Sequence, residues 1–448
     1  MQRSYRRMIA TGVLLLLTLA SAVGPVAAAP TRITFWHSMG GDLGGRSIPE
    51  MVQRFNQSQT ACTVEAIYQG TYDDALNKLK AGLQSRDIPA VMQLYDIGTR
   101  LMVDLGVAVP IQDFVDQEGY DLSDFEPNVL AYYTVDGRLY SMPFNTSNPL
   151  LYYNKDAFRR AGLDPNVPPR TFDDVVSMGQ KLTVKDASGR TTQYGITLAI
   201  YGWFFEQFLA VSGGLYANNG NGRDARATAA TFNGPEGVRV LDWWKLLYDQ
   251  GINFNPGRQT VDARNAFTAG RAAMTIDSTA TLRSLLDASV GRFELGTGFL
   301  PRPDEAAYQQ WGTIIGGASL WILKDRPQAE RQCAWEFVKH MASPEEQAFW
   351  HTVSGYYPIR RSGYEQPLAV AWRQQYPQFE TAIRQLHMSP NNRVTQGALI
   401  GVFPQARQTI EAAIETVLAG RATSKAALDA AARTVTDAIV QYNLTTGR

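Results

Sequence analysis

The sequence predicts an α/β protein whose first part carries a parallel sheet, and three observations lead there. Strand and helix patterns alternate from residue 32 to a helix that begins at about Gly98. A proline-bounded extended stretch crosses the middle of the chain. Only helical patterns fill the last 45 residues or so. The chain has 448 residues, with 45% hydrophobic and 19% charged content, so it is long enough for two or three packed cores. Lys plus Arg and Asp plus Glu are balanced at 42 each, which removes any basic excess pointing to nucleic acid or a membrane surface.

The N-terminus reads as a signal peptide over residues 1–29. Arg3, Arg6 and Arg7 precede a short apolar run, Gly12 to Val23, and Ala27-Ala28-Ala29 supplies a small-residue cleavage pattern. The apolar run is short for a membrane span. Export to a periplasm is the expected localisation. The chain has two cysteines, Cys62 and Cys333, and they are expected as buried free thiols. A bond between them would clamp a hinge if they lay in different lobes.

RITFWHS (32–38) is a strand, and residues 47–57 form a helix with Ser47 and Glu50 at capping-box spacing. Strand 63–69, helix 73–85, strand 90–96 and a helix from about Gly98 complete a βαβαβ run with right-handed crossovers. Ligands of such sheets sit beyond the carboxyl ends of the strands, which singles out His37, Ser38, Tyr72 and Asp96. The glycines between residues 40 and 45 match neither nucleotide-loop spacing and read as a flexible turn.

In Ser141–Asp156, Pro143 and Pro149 bias their neighbours to extended backbone, and Leu150–Tyr153 is a short buried strand. Asn154 caps a short helix ending at Gly162. An extended crossing with exposed Asn145, Thr146 and Ser147 suits a connection between two lobes that also touches a ligand. An edge strand after a loop fits the same residues. Helices are expected over 171–181, 203–212 and 235–250, with an Asn/Gly-rich loop, YANNGNGRDAR, between the last two. Residues 270–286 are a strand turning into a helix, with Asp277, Ser278 and Thr279 at the turn. Those residues read either as an anion site or as an ordinary N-cap. TIIGGASLWIL (313–323) is a strand broken by Gly316-Gly317, a sign of a bulge or of a second crossing.

In order along the chain, FWHSM, PFNTSNPLLYYNKDAF, GRAAMT, IIGGASLW, SGYYPI and FPQAR resemble the solute-binding proteins of ABC importers, in particular those for glycerol phosphate. The resemblance implies a two-lobed, type II, maltose-binding-protein-like fold with a hinge and a ligand cleft. The expected division places 30–144 and 274–316 in the N-terminal lobe and 145–273 and 317–448 in the C-terminal lobe. The resemblance also implies ligand contacts by Tyr72, Asp96, Ser147, Ser278, Gly317, Tyr356 and Arg407. Trp36, His37, Ile200 and Trp203 are expected to line the cleft. Arg407 offers a planar, charged fork to phosphate oxygens, while Asp96 accepts only and suits glycerol hydroxyls. Asp96 is shorter than the glutamate the family leads one to expect, and Ile200 falls where it carries a tryptophan unless Trp203 takes that place. Both changes enlarge the cleft and suit a glycerophosphodiester such as glycerophosphocholine.

The expected protein is a non-catalytic, monomeric periplasmic receptor without cofactor or metal. Its partners are a small solute and the transmembrane subunits of a permease, with no nucleic acid. One alternative is a neutral-oligosaccharide binder, for which nine tryptophans and twenty tyrosines offer stacking faces. The other is an exported hydrolase using Asp96, Glu206 and Asp277 on phosphoesters or glycosides. No H-E-x-x-H or G-x-S-x-G motif supports the hydrolase.

Overall fold

The computed structural model describes residues 29–41, 44–45 and 47–446, so the expected signal segment lies outside the described residues up to Ala28. The chain opens with β1 (Thr31–His37), α1 (Ser47–Ser58), β2 (Cys62–Tyr68), α2 (Tyr72–Ser85), β3 (Val91–Tyr95) and α3 (Thr99–Leu105). After α4 (Pro127–Tyr133) come β4 (Met142–Ser147) and β5 (Pro149–Asn154), with only Asn148 between them. Next are β6 (Thr191–Thr197), α5 (Gly202–Val211), β7 (Ala272–Ser278) and β8 (Leu295–Gly298). The chain then continues through β9 (Gly316–Leu323) and α6 (Gln328–Met341) to α7 (Phe403–Leu418) and α8 (Ser424–Thr446).

Two large sheets result, one per lobe, beside a two-stranded one at residues 134–139. The first runs β2-β1-β3-β9, with β4 also paired to β9. The second runs β6-β7-β5-β8. β1 is parallel to β2 and β3, as the alternating pattern requires, and β9 returns antiparallel against β3. Local signals account for the element ends. Thr71 with Asp74 and Thr171 with Asp174 form capping boxes, and the Asn154 side chain accepts from the Ala157 N–H as expected.

Strand pairing divides the chain differently from the expected boundaries. β7 and β8 pair with β5 in the second sheet, so most of 274–316 belongs to the second lobe. β9 lies between β3 and β4 in the first sheet, so the start of the 317–448 segment belongs to the first lobe. The first crossing is the single residue between β4 and β5, and the second falls in residues 299–315. A third, between residues 389 and 402, carries the chain to α7, which packs on α5. The reason is backbone pairing. The GRAAM strand satisfies its ladder against Leu150–Tyr153, an arrangement that local patterning does not encode.

The cysteines correct a second expectation. Cys62 and Cys333 form a disulfide with Cα atoms 5.7 Å apart, joining β2 to α6. Both ends lie in the first lobe, so the bond braces that lobe and leaves the hinge free. It closes a loop across a sequence separation of 271, and constraining the unfolded chain in this way is worth roughly 2–4 kcal/mol. Cys62→Ser/Cys333→Ser should therefore lower unfolding stability in urea by that amount while leaving solute affinity unchanged. A large change in affinity would place the bond across the moving parts.

Candidate functional site

The carboxyl ends of β1 and β3 and the start of α2 meet β4 in a chain of buried hydrogen bonds. The Ser38 N–H donates to Gln93 Oε1 at 2.8 Å, Gln93 Nε2 donates to Asn145 Oδ1 at 2.7 Å, and Asn145 Nδ2 donates to the Tyr72 hydroxyl at 2.9 Å. Tyr356 lies beside the same group, with Asn145 and Tyr72 near enough to offset part of the effect of its burial. Tyr72 stacks on Tyr95 with ring centroids 5.3 Å apart, and Tyr356 stacks on Trp350 at 5.6 Å. Burial holds both Tyr72 and Tyr356 neutral by raising their hydroxyl pKa. Both therefore remain hydrogen-bond donors at neutral pH.

Gly317 sits where β9 passes β4. Its φ is +99°, and a Cβ there would stand 1.8 Å from the Asn145 carbonyl oxygen. The register opens into a bulge one residue later, between Ala318 and Ser319. Only glycine fits both constraints. Gly316 pairs with Ser147, and the Trp203 indole lies over it, 2.6 Å from where a Cβ would be.

The second lobe supplies the charge. Arg407 on α7 forms a fork with Glu206 on α5, Nε to Oε1 at 2.6 Å and Nη2 to Oε2 at 2.9 Å. Its Nη2 also lies 3.7 Å from Asp96 Oδ2, across the cleft. Arg407, Glu206 and Asp96 are 7%, 5% and 4% exposed. Tyr201, at the N-terminus of α5, places its ring 5.9 Å from the guanidinium. Burial pushes the Asp96 carboxyl up to about 7 against the pull of Arg407. Burial also raises Glu206, although its two-point bond to Arg407 is that of an ion pair. The guanidinium between two carboxylates stays charged, its pKa raised by Glu206 and Asp96 despite burial.

Tyr72, Asp96, Tyr356, Arg407 and Gly317 are thus gathered around one cleft. Ser278 caps the turn after β7, its hydroxyl accepting from the Ala280 N–H at 3.1 Å, and the neighbouring Thr279 carbonyl abuts Gly355 next to Tyr356. The Ser147 carbonyl accepts from the Tyr357 hydroxyl at 3.1 Å. His37 is buried beside Phe35 and Tyr68, with its imidazole pushed down to about 4. Trp36 stays half-buried within β1. Ile200 is 2% exposed in the second-lobe core, and its N–H donates to the Gly257 carbonyl at 2.8 Å. It is Tyr201 and Trp203 that project aromatic rings toward Arg407 and the hinge strand.

Sequence reading missed Glu206 as the partner of Arg407, and it missed Gln93 and Tyr201 altogether. A signal for Glu206 was present, because it is a lone acid inside the apolar run GWFFEQFLAV, where an unpaired charge is costly. Among the described residues, no cluster of His, Cys, Asp or Glu has the arrangement of a metal site.

A two-lobed cleft at a strand hinge, lined by hydroxyls and one paired arginine, defines a receptor for small solutes. Residues 50–381 match the bacterial extracellular solute-binding proteins, and the chain belongs to that family. It is 34% identical to the sn-glycerol-3-phosphate-binding periplasmic protein UgpB of Escherichia coli K12 over 420 residues, 93% of this chain and 94% of that one. The structure of UgpB from Mycobacterium tuberculosis in complex with glycerophosphocholine superposes with a TM-score of 0.79 at 23% identity, covering 92% of this chain and 99% of that chain. The sugar-binding protein MalE of Xanthomonas citri gives 0.74 at 21%, covering 93% and 100%. These relatives are binding components of ABC transporters, not enzymes, and the chain is such a component. No helix among the described residues is long and apolar enough to cross a membrane.

Two outcomes follow from this geometry. Gly317→Ala forces a Cβ into the Asn145 carbonyl and should cost about 2 kcal/mol or more in urea unfolding. Unchanged stability would mean that the two hinge strands move apart freely. The Asp96 carboxyl binds its proton more tightly in the folded chain than in the unfolded one. Its contribution is therefore favourable below about pH 4 and is lost as pH rises toward 7. Asp96→Asn should accordingly gain on the order of 2–4 kcal/mol relative to the parent at pH 8 and little at pH 4. Equal differences at both pH values would refute the assignment.

Proposed function

We propose that the protein is the periplasmic receptor of an ABC importer for glycerol phosphate esters, and that it prefers a zwitterionic glycerophosphodiester such as glycerophosphocholine to sn-glycerol 3-phosphate. Tyr72, Asp96, Ser147, Ser278, Gly317, Tyr356 and Arg407 are the proposed contacts. The likeness to UgpB supports the ester class. The observation that carries the preference is the charge around Arg407, whose fork is already shared with Glu206 and approached by Asp96.

With Glu206 ionised and the Asp96 carboxyl pushed up to about 7 by burial, this buried trio ranges from neutral to one excess negative charge around neutral pH. A phosphate monoester brings about 1.5 to 2 further negative charges at pH 7, and burying them without a counter-charge is costly. A choline diester brings a single negative charge and its own cation. Tyr201 and Trp203 offer ring faces to a quaternary ammonium. The Tyr72, Tyr356 and Ser147 hydroxyls and the Gly317 backbone are neutral groups suited to phosphate and glycerol oxygens. Ion pairs of this kind also hydrogen-bond sugar hydroxyls, so a neutral oligosaccharide is the second reading.

Isothermal titration with glycerophosphocholine, sn-glycerol 3-phosphate and maltose tests the proposal. The diester should bind at least about tenfold more tightly than the monoester, with no heat from maltose. Glu206→Gln, which removes one negative charge and loosens the fork, should narrow the gap between the two esters. Binding of maltose alone would overturn the ligand assignment, and tighter binding of the monoester would overturn the charge argument.

A further inference from the structure

Arg407 is not the only group that α7 extends to α5. One turn further along α7, Glu411 Oε1 accepts the Gly202 N–H at 3.0 Å. Gly202 is the first residue of α5, where backbone N–H groups find no partner within the helix. α5 has no side-chain cap of its own, because Tyr201 occupies the cap position and makes no capping hydrogen bond. Glu411 supplies that cap from another helix, and a carboxylate suits the positive end of the helix dipole. The helices touch closely here: a Cβ on Gly202 would stand 3.0 Å from Arg407 Cβ.

The two ties share one spacing. Glu411 holds Gly202 and Arg407 holds Glu206, so each helix contributes two positions one turn apart. Such positions lie on one face of a helix, and together the bonds fix the register of α5 against α7. A slip of one turn would break both.

The chain entering α5 is held in the same manner. Tyr201 is extended, with φ −129° and ψ 123°. The Leu198 N–H donates to Asn253 Oδ1 at 3.0 Å, the Ile200 N–H donates to the Gly257 carbonyl at 2.8 Å, and the Gly202 N–H donates to Glu411. Alternate amides are thus tied, and side chains alternate along extended backbone. Ile200 enters the core, while Tyr201 stays half-buried with its ring 5.9 Å from the Arg407 guanidinium. Arg258, next to Gly257, completes the support. It donates to Glu411 Oε2 at 3.2 Å and to both oxygens of Glu415 at 2.7 and 2.8 Å. Residues 257 and 258 therefore hold the backbone on both sides of Tyr201.

We propose that Glu411, braced by Arg258, is a positioning residue for solute selection. It touches no solute and acts through Tyr201 and Trp203, whose place beside Arg407 it fixes from behind. Without the tie, the first turn of α5 loosens while Arg407 keeps its fork to Glu206. The site then retains its arginine and loses a fixed aromatic wall. The choice of solute rests on the reading of this end of the cleft as an ester site with ring faces for a quaternary ammonium.

Two variants separate the tie from the charge: Glu411→Ala removes both, and Glu411→Gln removes the charge but keeps an oxygen to accept the Gly202 N–H. In isothermal titration, Glu411→Ala should bind glycerophosphocholine about tenfold more weakly than the parent, with sn-glycerol 3-phosphate changed less than about threefold. Glu411→Gln should restore the diester to within about threefold of the parent. Unchanged affinities, equal losses for the two esters, or a glutamine variant as weak as the alanine one would overturn the role in selection. Fluorine NMR of protein labelled with 3-fluorotyrosine, with no solute added and the Tyr201 resonance assigned from Tyr201→Phe, tests the positioning itself. That resonance should shift or broaden in Glu411→Ala and return in Glu411→Gln; an unmoved resonance in Glu411→Ala would overturn the proposal. If Glu411→Ala does not fold, Arg258→Ala, which loosens Glu411 from outside both helices, replaces it in each measurement. If the parent binds neither ester, the ligand reading fails, and the fluorine spectra alone decide whether Glu411 positions Tyr201.

Discussion

The structure depends on the pairing of β4 with β9 at the hinge. These strands lie side by side in the first sheet, and β4 runs through Asn148 directly into β5 of the second. Every cleft residue is placed relative to that seam. Asn145 on β4 holds Tyr72, and Gly317 on β9 approaches Asn145 more closely than any side chain would allow. Pairing of this kind keeps the local backbone satisfied while the lobes rotate about a few residues at its end, the geometry of hinge closure.

Electrostatics divides the labour between the lobes. The first lobe contributes neutral groups in a continuous network, from the Ser38 N–H to the Tyr72 hydroxyl. The second contributes an arginine that is never bare, because Glu206 holds it on two atoms and Asp96 faces it. A pre-paired cation is cheaper to bury than a free one and is held in one orientation.

Much of the first lobe was legible in the residues. Alternating strand and helix patterns, the Asn154 cap and the glycine pair in β9 are local features, and local backbone preferences decided them. The cleft residues were legible as a set only because matched strings brought them together; singly, Arg407 and Tyr72 carry no such message. The lobe boundaries were misjudged over 274–323, since which sheet a buried apolar strand joins is not written in its own sequence. The cysteines were misjudged for a similar reason, as their separation of 271 residues says nothing about proximity.

By itself the sequence determined an α/β chain with a parallel opening sheet, the extended crossing and the class of solute receptor. Those properties come from short-range periodicity, proline and glycine geometry, and motif strings. Only the tertiary structure decided that Arg407 is shared with Glu206 and that Tyr201 rather than Ile200 faces it. The physical reason is range. A guanidinium finds its counter-charge 201 residues away, through the packing of α5 against α7, and no local preference in either helix specifies that meeting.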